Sequence, residues 1–104
     1  MIEAAETVRR FVSGRARSDL DTDKMLSFAL VRAIEIVGEA ASKVSAATRE
    51  AASEIPWVLI VSMGNRLIHA YFDVNHELVW QSATRELPQL LPALRSLVGE
   101  ADNG

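Results

Sequence analysis

The stretch KMLSFALVRAIEIVGEAASKVSAA, residues 24–47, decides the fold. In it Leu26, Ala29, Leu30, Ala33, Ile34, Val37, Ala40, Ala41 and Val44 recur every three or four residues, with Arg32, Glu35, Glu39 and Lys43 between them. That is the repeat of an amphipathic helix. Asp21, Thr22 and Asp23 stand directly ahead of it as N-cap residues, after a polar run from Gly14 with no apolar period. Working back, Ala4 or Ala5, Val8, Phe11 and Val12 share a helical stripe over residues 2–12, and Gly14 follows where such a helix ends. Working forward, the pattern lapses over 45–54, and Pro56 fits the first turn of a third helix running from Pro56 to about Tyr71. Asp73, Val74 and Asn75 break that helix, and Asn75 can cap a fourth holding Leu78, Val79 and Trp80. Pro88 and Pro92 are compatible only with a helix starting near Leu87 or Pro88, which gives a fifth over Gln89 to Val98. No alternating strand pattern competes, although VLIVS at 58–62 alone can be misread as one. The expected architecture is an all-α helical bundle of four to five helices, a single domain over 1–104.

Composition narrows the function classes. The 104 residues are 49% apolar and 24% charged, which excludes a disordered or low-complexity chain. A net charge of -3 argues against a broad basic face coating nucleic acid, while leaving room for a local site. Without cysteine there is no disulfide, thiolate zinc site or thiol nucleophile. The uncharged run from Ile55 to Asn65 is about half of what a membrane-spanning helix needs. The charged N-terminus MIEAAETVRR differs from a secretion signal, so a cytoplasmic location is expected, with no membrane partner.

Chemistry concentrates in MGNRLIHAYFDVN, residues 63–75. On the third helix Asn65 and His69, four apart, share one face, and Arg66, three residues from His69, is adjacent. An imidazole exchanges protons near neutral pH, a guanidinium grips phosphate, and an amide orients a hydroxyl or phosphate oxygen. These are parts for metal-independent RNA cleavage, in which the 2′-hydroxyl attacks its own phosphodiester. They equally suit a surface histidine bonded to a neighbour. No phosphate loop, paired catalytic carboxylates or metal-ligand set stands out, so neither a cofactor nor a metal is expected.

The string IPWVLIVSMGNRLIHAYFDVNHELVW at 55–80, with IVGEAASKV at 36–44 and DLDTD at 19–23, resembles the HepT-like branch of the HEPN superfamily over nearly the whole chain. The resemblance implies a toxin of a type VII toxin–antitoxin pair, a homodimeric ribonuclease acting on RNA, with tRNA one such substrate. Its partner would be an MntA-like minimal nucleotidyltransferase antitoxin. It implies Asn65 as the motif's polar residue, His69 as the catalytic histidine and Tyr71 as the tyrosine that the antitoxin adenylylates. The family's arginine, five residues before the histidine, falls here on Gly64, which has no side chain for the scissile phosphate. Either Arg66 takes over that contact, or the nuclease is weakened and the domain retains assembly and partner binding. A non-catalytic dimeric interaction module that binds the nucleotidyltransferase is therefore the alternative reading.

The remaining conspicuous residues read more simply. Trp57 and Trp80 are expected in a core or interface, Glu39 in a helix-face salt bridge or an interhelical contact supporting the site, and His76 at the surface of a helix start. Arg9, Arg10, Arg15 and Arg17 form the best basic run. As a solvated helix end it needs no function, but it can also collect RNA phosphate or an acidic partner surface. A mean hydropathy of +0.10 in so short a chain points to self-association.

Overall fold

The structure, a computed structural model, describes residues 1–66, 68–70 and 73–97, with side chains described outside 64–70 and 73–74. Helix α1 (Ile2–Val12) ends as expected at Gly14, whose φ of 73° is open to glycine without strain. Helix α3 (Lys24–Ser42) starts where expected, the Asp23 side chain accepting a hydrogen bond from the Leu26 amide at 3.0 Å. Ahead of it the polar run holds a single turn not anticipated, α2 (Asp19–Thr22), which buries Leu20.

Helix α3 stops at Ser42, five residues short of the expected end. Ser45 caps a new helix, α4 (Ala46–Ala51), through the Thr48 amide. The Arg49 guanidinium then donates to the Ala41 and Val44 carbonyls at 2.8 and 3.2 Å, at the terminus of α3. A helix end has free carbonyls, and a cation on them is doubly favoured. Val44 still packs on the core from the connection, so its place in the apolar period was real while its helix was not.

Helix α5 (Trp57–Arg66) is launched from the Pro56 carbonyl, which accepts the Ile60 amide. Trp57 is buried, its indole N–H donating to the Ala52 carbonyl at 3.1 Å. The expectation of one helix to Tyr71 is corrected here. The helix ends at Arg66, and strand β1 (Ile68–Ala70) pairs antiparallel with β2 (Asp73–Val74), setting Ile68 opposite Val74 and Ala70 opposite Asp73. Gly64 and Asn65 are poor helix formers, whereas the following run LIHAYFDV is rich in aromatic and β-branched residues.

Helix α6 (His76–Gln81) is capped by Asn75, whose side chain accepts from the Leu78 amide at 3.0 Å. The expected break before the fifth helix is absent. A wide π turn over Ser82–Glu86 leads directly into α7 (Leu87–Leu97), the Leu87 amide bonding to the Ser82 carbonyl. Widening the turn by one residue ahead of Pro88 relieves a ring that would otherwise collide with the preceding turn. Pro92 lies inside α7 and removes one hydrogen bond, offset by burial of Leu87, Leu91 and Leu94.

The class is all-α, the hairpin being the one exception among the described residues. Helix α3 is central, with α1 on one side and α5 on the other, and α7 lies along α1, where Arg95 and Glu6 pair. Leu30, Ile34 and Val37 of α3 meet Val8, Ile60 and Met63 in a fully buried core. No described helix is long and apolar enough to cross a membrane.

Candidate functional site

The described backbone places the residues singled out for chemistry at the end of α5 and in β1. Helix α5 is held by buried Ile60 and Met63, and by a close approach to α3 at Gly38. A Cβ placed on Gly38 of α3 would lie 3.1 Å from both the Ile60 and the Val61 carbonyl oxygens. Any larger residue would press on these carbonyls and push the two helices apart by a few tenths of an ångström. Helix α5 therefore carries Gly64, Asn65 and Arg66 in its last turn, with His69 in the middle of β1 three residues beyond Arg66. Tyr71 lies outside the described residues. Because the helix stops at Arg66, Asn65 and His69 do not share a face of one continuous helix. The two are joined by the helix-to-strand exit instead.

The far side of the hairpin is tied down by a cluster the sequence did not reveal. Arg17, ahead of α2, donates from Nη1 to both Asp21 oxygens at 2.9 Å and from Nε to Glu77 Oε1 at 2.8 Å. His76 Nδ1 lies 3.0 Å from Asp21 Oδ1. The hydrogen bond with His76, and then the one from Arg17, hold the Asp21 carboxyl below its usual range. The Glu77 and then the Asp21 carboxylates raise Arg17 further above its already high value. Arg17 and Asp21 are a local pair four residues apart, but no local signal could have joined them to His76 and Glu77, 55 and 60 residues away.

The basic run divides. Arg15 pairs with Asp23 at 3.4 Å and Arg17 with Asp21 and Glu77, so two of the four cations are balanced by carboxylates. Arg10 donates to Thr7 and, with Arg9, Glu6 and Ser13, lines a shallow hollow on α1. Among the described residues this leaves no continuous basic face. Glu39 is exposed and makes no ion pair among them, while Trp80 packs partly buried against the core. No cluster of three or more His, Asp or Glu side chains among the described residues is arranged to hold a metal.

A small helical domain that presents a Gly-Asn-Arg turn followed by a strand-borne histidine defines the class. The family model "Ribonuclease HepT-like" matches residues 1–97, and the chain belongs to that family. A protein of Caldanaerobacter subterraneus named as a candidate RNase is 33% identical over 98 residues, covering 94% of this chain and 88% of its own length. A Thermococcus cleftensis protein named as a candidate ribonuclease HepT is 35% identical over 88 residues, covering 85% and 80%. One from Methanocaldococcus jannaschii, also named as a candidate RNase, is 31% identical over 90 residues, covering 86% and 83%. No solved structure matches the chain.

Proposed function

We propose that this chain is a HepT-like toxin that cleaves RNA without a metal, working as a homodimer in the cytoplasm. The supporting observation is family membership over residues 1–97, together with a histidine at 69, five residues after the position of the family's arginine. In this reading His69 of one subunit takes the proton from a ribose 2′-hydroxyl, whose oxygen attacks the adjacent phosphorus. The 5′-oxygen leaves as a hydroxyl after receiving a proton from the second His69, and a 2′,3′-cyclic phosphate remains. Asn65 and Arg66 orient and neutralise the phosphate. The dimer brings both copies to one cleft, and the exposure of Met25 at 83%, Phe28 at 61% and Val58 at 81% supports an apolar association surface. The partner is an MntA-like nucleotidyltransferase, which silences the toxin by adenylylating Tyr71 and so placing phosphate charge and bulk beside the cleft.

Gly64 favours a second reading, a dimeric interaction module that binds the nucleotidyltransferase without cleaving RNA. RNA cleavage without added metal, by the parent chain, Gly64→Arg and the double variant Gly64→Arg/His69→Ala, separates the two. The nuclease reading expects Gly64→Arg to cleave ~10²-fold faster than the parent, the scale of one lost oxyanion contact, and the double variant to be inactive. A silent Gly64→Arg protein that still dimerises overturns it in favour of the interaction module.

A further inference from the structure

The segment that carries His69 is suspended between two unlike supports. Upstream, α5 is seated in the core by Ile60 and Met63 and by the close approach at Gly38. Downstream, the first fully buried residue among the described side chains is Val79, and ahead of it His76 and Glu77 open α6. Both are held by the cluster around Arg17. One planar guanidinium spans a carboxylate on α2 and another on α6, and Asp21 receives His76 as well. Exposed ion pairs add little to global stability one at a time, whereas a forked guanidinium bonded on two sides sets orientation.

We infer that Arg17, Asp21, His76 and Glu77 form the anchor that fixes the downstream end of the His69 segment, with Arg17 a positioning residue acting through Glu77. The consequence for RNA cleavage rests on the nuclease reading above; the consequence for the segment does not. Without the anchor the first turn of α6 loses its tie to α2, and β2 loses its fixed exit. His69, in the paired strand, then samples more positions relative to Asn65 and Arg66.

The test is amide hydrogen exchange across residues 68–70 and 73–76 in the parent, Arg17→Ala, Glu77→Ala and the double variant, with α3 as internal control and RNA turnover followed in the same set. Each single variant should speed exchange in the segment about fivefold, leave α3 unchanged and keep the melting temperature within about 3 °C. The double variant should match Arg17→Ala, because that change already removes the Arg17–Glu77 connection together with the Arg17–Asp21 one. Turnover should fall about tenfold with KM changed less than about twofold, and Arg17→Lys should recover little of it. Unchanged exchange in both single variants, or strictly additive effects, overturns the anchor. So does a rise in KM with unaltered exchange, which would make Arg17 an RNA contact. If no protein cleaves RNA while the exchange pattern appears as expected, the anchor stands and the nuclease reading falls.

Discussion

Gly38 is the residue on which the placement of the motif most depends, although it lies on a different helix from the motif. Alanine in a helix interior is ordinarily favoured over glycine by about 1 kcal/mol. Here the added methyl meets two backbone carbonyl oxygens at 3.1 Å, and backbone cannot rotate aside. Overpacking of this kind costs about 1 to 3 kcal/mol, so Gly38→Ala should lose ~1 kcal/mol net where an exposed helix would gain. Urea unfolding gives the sign, and a stabilised Gly38→Ala protein would show that α5 can retreat from α3. Ser27 is the other residue of note, a buried hydroxyl on α3 without a hydrogen-bond partner among the described residues.

At the scale of elements, helix starts are specified by single side chains and helix ends by their surroundings. Asp23 illustrates the first case, since it both caps α3 and pairs with Arg15. The pair is exposed and long at 3.4 Å, so the cap dominates. Asp23→Ala should therefore cost about 1 kcal/mol, while Asp23→Asn, which keeps an accepting oxygen, should cost less than about half of that by thermal unfolding. Equal losses would assign the effect to the ion pair. The same capping logic made the start of α3 and Asn75 legible in the sequence, and apolar spacing did so for α1. The ends of α3 and α5 were not legible. The α3 end depends on Arg49 folding back onto its carbonyls, and α5 yields to a strand whose pairing partner lies beyond its own window. The π turn before Pro88 was hidden for a similar reason, because two prolines look like a chain break until a continuous buried face holds the helix together.

Across the whole molecule, the Arg17 cluster joins the early chain to the start of α6, and its strength follows the charge on Asp21. The Asp21 carboxyl lies below the ordinary value of 3.8, so its contribution to folding is fully present above that value and is lost as pH falls through the lowered one. The difference in melting temperature between the parent and Asp21→Asn should accordingly persist down to about pH 5 and vanish under strong acid. A difference that survives strong acid unchanged would contradict the observed pairing. The apolar period of residues 24–47, the cap residues and the IPW and NRLIHAYFDV strings were enough to determine an all-α fold and its family resemblance, since both rest on short-range spacing and residue identity. Why position 38 is glycine and how Arg17 meets Glu77 were decided by tertiary structure alone. Both depend on groups distant in sequence whose approach exists only once the helices have packed.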